Sequence, residues 1–111
     1  MAQAMELKEA LVELIKTAST TLPPDQIAAL NKAAELEPEG SMSRETFELM
    51  VKNAQLASDT GTPTCQDTGS LIFYVHYGPE YRQKDLTAVI REAAGEATKR
   101  SYLRPNAVDS Y

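Results

Sequence analysis

This sequence has no run approaching the roughly 20 apolar residues that a membrane-crossing helix requires, which excludes a helical membrane protein. It has no second cysteine. Cys65 stands alone, so no internal disulfide can form. From Met1 to Ala10 charged and small side chains alternate where a secretory leader would carry an apolar core, and a cytoplasmic protein is the expectation. Basic excess is missing as well. The chain sets 11 lysines and arginines against 16 aspartates and glutamates, a net charge of -5, which leaves no positive patch to displace counterions from a nucleic-acid backbone. The same balance gives no long-range attraction to an anionic substrate, so any anion site must be built locally from a few arginines. Internal repeats and low-complexity segments are lacking too.

What is present suits one folded unit. A chain of 111 residues, 42% hydrophobic and 24% charged, is expected to form a single domain over residues 1–111, large enough for one core and too small for two.

Leu7, Leu11, Leu14, Ile15 and Ala18 recur at helical spacing among charged residues, which predicts an opening amphipathic helix ending near Ser19 to Thr21. Pro23 and Pro24 start a second helix, because a proline in the first turn gives up an N–H that has no intrahelical partner anyway. Asp25 complements its dipole, and Ile27, Leu30 and Ala34 form its buried stripe. The polar stretch Glu35 to Gly40 reads as a connection. Ser43 is the expected N-cap of a third helix, with Phe47, Met50, Val51, Ala54 and Ala57 along one side and Gly61 at a left-handed C-terminal cap.

From Ser70 to Tyr77 the chain is dense in β-branched and aromatic residues and Gly78-Pro79 ends the run, which predicts one clear strand. Leu71, Phe73, Val75 and Tyr77 would point one way and Ile72, Tyr74 and His76 the other, with both faces covered. A lone strand is unstable, so it is expected to pair with short strands or with sequence beyond Tyr111. Asp85 is the expected cap of a last helix through Arg100, with Leu86, Val89, Ile90, Ala93 and Ala97 inward and Glu96 paired to Arg100. Gly95, which costs about 1 kcal/mol against alanine in a helix, suggests close approach of another backbone. The expected fold class is α+β: mostly helical, about four helices with the one strand.

The run Gly61-Thr62-Pro63-Thr64-Cys65-Gln66-Asp67-Thr68-Gly69 gathers a thiol, an amide, a carboxylate and hydroxyls between two glycines, after a helix end. Loops on a rigid scaffold are where chemistry tends to sit. A lone intracellular cysteine is most often a small buried hydrophobe, but in this turn a ligand or reactive thiol stands on equal terms with packing. Gln66, Asp67 and Thr68 read first as turn residues bonding their own backbone. Pro105 pushes Arg104 toward an extended conformation, so an otherwise ordinary surface arginine projects from a stiff segment. His76, Tyr74, Tyr77 and Tyr81 read as packing, and Lys8-Glu9 and Arg91-Glu92 as solvated helix faces.

Thr62 to Gly69 resembles the Cys-Gln-Asp-Thr-Gly signature of the iron-sulfur class I fumarate hydratases and L-tartrate dehydratases. Ala93-Ala94-Gly95-Glu96-Ala97-Thr98-Lys99 and then Tyr102-Leu103-Arg104-Pro105-Asn106-Ala107-Val108 look like the same family, in the same order. The likeness runs from about Leu11 to Ser110, with the N-terminal part of the alpha subunit or domain. It implies that Cys65 is one of three thiolate ligands of a 4Fe-4S cluster whose open iron binds substrate. It further implies that Gln66 donates to the substrate and that Asp67 takes part in the acid-base step or orients the residue that does. Arg104 would clamp a carboxylate of a small dicarboxylate, fumarate or L-malate, with Asn106 supporting that turn. The other two cysteines are absent from this chain, so the resemblance implies a longer polypeptide or a beta subunit as partner, within a homo-oligomer such as a dimer. Two alternatives stay open: a part of an L-tartrate dehydratase, and a non-catalytic helical interaction module keeping Cys65 as a thiol sensor.

Overall fold

The computed structural model describes residues 2–65 and 70–103, with side chains from Glu6 onward. Helix α1 (Ala2–Thr20) is the predicted amphipathic opening, but its inward face is not the one drawn through Leu14 and Ala18. Val12 and Ile15 are 0% and 3% exposed, whereas Leu14 is 58% exposed and Ala18 lies at the surface. Two helical stripes can be traced in this segment, and the partner helix selects between them. Thr20, almost fully buried, donates its hydroxyl to the Lys16 carbonyl at 2.6 Å and so needs no partner outside its own helix.

Helix α2 (Pro24–Leu36) starts as read, with Pro23 as N-cap, Pro24 in the first turn and the Pro23 carbonyl accepting from the amides of Gln26 and Ile27. Gly40, at φ 77°, turns the chain into α3 (Met42–Thr60). The N-cap of α3 is Ser41 and not Ser43: the Ser41 hydroxyl accepts from the Arg44 amide at 3.2 Å and donates to the Pro38 carbonyl. Ser43 instead lies just inside the helix and reaches back to the Glu37 carboxylate at 2.9 Å. At the far end Gly61 takes the predicted left-handed conformation, φ 66°, and the amides of Gly61 and Thr62 both donate to the Ala57 carbonyl.

Helix α4 (Gln83–Lys99) begins two residues before Asp85, after Arg82, which provides no side-chain cap; Asp85 serves the first turn through its charge. Its buried residues are Ala93 and Ala97, both fully inaccessible, with Leu86, Val89 and Ile90 half-buried beside them. Small side chains on α4 let α1 approach closely, and Val12, Ile15, Ala93, Ala97 and Leu103 form one core, with Leu11, Phe73, Ala94 and Tyr102 packed against it. Gly95 is not pressed against any backbone: a β-carbon there would meet nothing within 4 Å. The α4 C-terminus closes in a Schellman turn, with the Tyr102 amide on the Ala97 carbonyl and Ser101 left-handed at φ 66°.

The helices thus form two pairs, α1 with α4 and α2 with α3, joined mainly where α1 touches α3. The molecule measures 56 × 36 × 22 Å with a radius of gyration of 17.7 Å, against about 13 Å for a compact globule of roughly this length. Much apolar surface stays open, including Leu36, Met42 and Leu49 on the α2/α3 pair.

The predicted strand is not there. Among the described residues no strand is formed, and residues 70–78 run without regular secondary structure, so the described fold is all-helical and not α+β. The cause is the lack of a partner: β propensity reflects packing against a neighbouring strand, and the described chain supplies none. Only Phe73 settles onto the α1/α4 core. Tyr74 is 91% exposed and His76 is also at the surface, so neither has the packing role read from the sequence, while Tyr77 and Tyr81, 48% and 41% exposed, are only partly covered.

Candidate active site

The turn that begins at Gly61 is tied to two helices before it reaches its cysteine. The Thr64 amide donates to the Ser19 carbonyl at the end of α1, 3.0 Å away, and the Thr64 hydroxyl leans on the same oxygen at 3.4 Å. The Thr64 carbonyl accepts from the Asn53 side-chain amide on α3, at 2.8 Å. Both backbone polar groups of the residue preceding Cys65 are therefore spoken for, and the backbone enters Cys65 in a fixed direction. Cys65 itself is free and exposed.

Cys65 opens onto a cleft of about 400 Å³ whose described walls are Ala18, Ser19, Thr64, Cys65, Ser70, Leu71, Ile72 and Leu103. Ser19, Thr64 and Ser70 bring hydroxyls to the lining, and Leu71, Ile72 and Leu103 give an apolar flank. Leu103, 8% exposed, is brought here by the left-handed Ser101 turn. Tyr102 lies under the Lys16 ammonium, 5.5 Å from the ring centroid, with both side chains close to Gly61.

Gln66 and Asp67, like Arg104 and Asn106, fall outside the described residues. Cys65, directly before Gln66, Ser70, three residues after Asp67, and Leu103, directly before Arg104, are described, and all three line the one cleft. Among the described residues no group of three or more histidine, cysteine, aspartate or glutamate side chains comes together. The donor set here is a single accessible thiol with neighbouring hydroxyls, which fits one ligand position of a cluster and cannot hold a cluster alone.

Sequence reasoning missed Asn53, Ser19, Lys16 and Tyr102 as neighbours of this turn. Asn53 carried a signal, since asparagine inside a helix is a poor helix former whose side chain competes for backbone groups. Among the described residues the one clearly shifted titratable group lies outside the cleft: hydrogen bonds from Arg100 to Glu9 first, and to Glu96 next, raise its guanidinium above the ordinary arginine value.

Comparison with known proteins matches residues 8–111 to the family model described as fumarate hydratase (Fumerase). The chain is 34% identical over 105 residues to "Putative fumarate hydratase class I" of Geobacillus stearothermophilus, a match covering 95% of this chain and 20% of that protein. It is 32% identical over 107 residues to the L(+)-tartrate dehydratase subunit alpha of Escherichia coli K12, covering 96% of this chain and 35% of that subunit. The chain thus spans between a fifth and about a third of the length of these relatives.

Proposed function

This chain belongs to the fumarate hydratase family, and from that membership we propose that residues 1–111 are a single N-terminal domain of a longer iron-sulfur hydro-lyase that reversibly hydrates fumarate to L-malate. The observation that carries the reading is the shared cleft: Cys65, the flank of the Gln66-Asp67 pair and the residue before Arg104 meet at one opening although they lie far apart in the chain.

Cys65 would be one of three thiolate ligands of a 4Fe-4S cluster, the others coming from the remainder of the enzyme, so this chain alone is inactive. When bound, the cluster supplies a Lewis-acidic iron that polarises the hydroxyl and a carboxylate of the substrate. Everything else falls to protein side chains. Arg104 pairs in bidentate fashion with a carboxylate of the dicarboxylate, which suits its planar fork. Gln66 donates to the substrate hydroxyl or carboxylate. Asp67 moves the proton at carbon, or orients the group that does, next to a carboxylate that stabilises the carbanion. Leu71, Ile72 and Leu103 supply an apolar flank to the cleft.

The partners in this reading are the rest of the chain or a beta subunit, in a cytoplasmic homo-oligomer such as a dimer, and fumarate hydration places it in the tricarboxylic acid cycle. No described helix is long and apolar enough to cross a membrane. The name of the relative from Escherichia coli K12 favours a second reading, in which the substrate is L(+)-tartrate.

Anaerobic purification of the complete gene product tests the proposal. It should be brown, contain iron that Cys65→Ser removes, and turn over fumarate faster than L(+)-tartrate. The reverse preference favours the second reading. An iron-free protein with neither activity sinks both and leaves the thiol-sensor module.

A further inference from the structure

We infer that Asn53 is a positioning residue for the Cys65 thiolate. The inference rests on the reading of Cys65 as a cluster ligand given above. The geometry that carries it is a pair of hydrogen bonds on one residue: the Asn53 Nδ2 donates to the Thr64 carbonyl at 2.8 Å, and the Thr64 amide donates to the Ser19 carbonyl at 3.0 Å. The Thr64 carbonyl belongs to the peptide whose nitrogen is that of Cys65. Fixing its direction fixes the plane from which the Cys65 side chain departs, leaving only rotations within Cys65 itself.

The two anchors are unequal. Ser19 offers a main-chain oxygen at the end of α1, which any residue would present. Asn53 offers a side-chain donor in the body of α3, which few residues could replace at that reach. Asn53 ties the turn back to α3, the helix it leaves, while the Thr64 amide ties the same residue to α1 through Ser19. The direction in which the chain enters Cys65 therefore depends on both anchors, one on each helix.

Asn53 is exposed, as is its hydrogen bond, so water can replace the lost donor and the fold does not depend on it. What water cannot replace is the direction it enforces. A ligand held in a preset direction is what a metal site requires, and loss of a group that orients a ligand without touching the metal typically costs roughly 10- to 100-fold in affinity or activity.

The test uses the full-length protein with Asn53→Leu, similar in volume without a donor, and Asn53→Asp, which sets an acceptor against the Thr64 carbonyl. In cluster-free protein, iodoacetamide alkylation of Cys65, followed by mass spectrometry of its peptide, should run several-fold faster in both variants than in wild type while the thermal melts coincide. After anaerobic reconstitution both should lose iron in air several-fold faster, with an altered electron paramagnetic resonance line shape. Wild-type alkylation and iron-loss rates in both variants would overturn the inference. If the wild-type protein binds no iron at all, the hydro-lyase reading fails on that result, and the alkylation rates alone still decide the role of Asn53.

Discussion

The Arg100 guanidinium grips Glu9 with both terminal nitrogens, at 3.1 and 3.3 Å, while its Nε holds Glu96 at 3.0 Å, so the end of α4 is fastened to the middle of α1 by one side chain. The triad is solvent-exposed, and its strength should fall with added salt. Arg100→Lys loses the fork and Arg100→Ala the charge, and each is expected to lower the melting temperature modestly, with the gap from wild type narrowing as sodium chloride is raised. The raised guanidinium value makes no pH dependence near neutrality: its stabilisation is complete below the ordinary arginine value and fades only as pH climbs through the still higher folded one.

Ser101 stands in the left-handed region at φ 66°, where a side chain is disfavoured and glycine is not. Ser101→Gly should stabilise the protein by about 1 kcal/mol without moving Leu103, measured by chemical denaturation with unchanged slope. A loss of stability would mean that the serine side chain contributes a contact that outweighs its strained backbone.

Gly95 offers the opposite case, a helical glycine at an ordinary backbone angle with open space where its β-carbon would be. Gly95→Ala should raise stability by about 1 kcal/mol in the 111-residue chain. Destabilisation of the complete protein by the same change would show that another part of the enzyme comes to lie there.

The seam between α1 and α4 depends on small residues. Ala97 is fully inaccessible against Val12 and Ile15, and Ala97→Leu should cost about 1–3 kcal/mol by forcing the helices apart. Val12→Ala leaves a void in the same place and is expected to cost about 2 kcal/mol. Near-additivity in the double mutant would argue against a shared contact; partial rescue, in which the truncated side chain at position 12 makes room for the larger one introduced on α4, is the expected outcome.

The helices were legible in the sequence because their signals are local. Pro23-Pro24, Gly61 and the Glu96 to Arg100 spacing each name a position that neighbouring residues suffice to decide. Where the outcome depends on a distant partner the sequence misled. Ser70 to Tyr77 has strand composition but no strand beside it among the described residues, Leu14 has helical spacing but stays exposed, and Tyr74 is aromatic but uncovered. The cleft was half legible: the Cys-Gln-Asp motif and the Leu-Arg-Pro-Asn motif both pointed to chemistry, but nothing in their spacing said that Cys65 and Leu103 line one wall. That meeting is made by the Ser101 turn and the Asn53 bond, two features that composition hides.

Arg104 is the residue on which the substrate reading can be pressed hardest. In sequence it follows Leu103, which is buried, and precedes Pro105, a residue that disfavours a helical backbone at the position before it. If it pairs with a substrate carboxylate, Arg104→Lys replaces a planar two-point contact with a single ammonium. The loss should appear in binding, with KM for fumarate rising at least about tenfold, kcat moving less and iron content unchanged. A substitution that lowered kcat and left KM alone would instead place the guanidinium at the charge that develops during reaction. One that changed neither would remove Arg104 from the site and leave the anionic end of the substrate to arginines elsewhere in the complete enzyme.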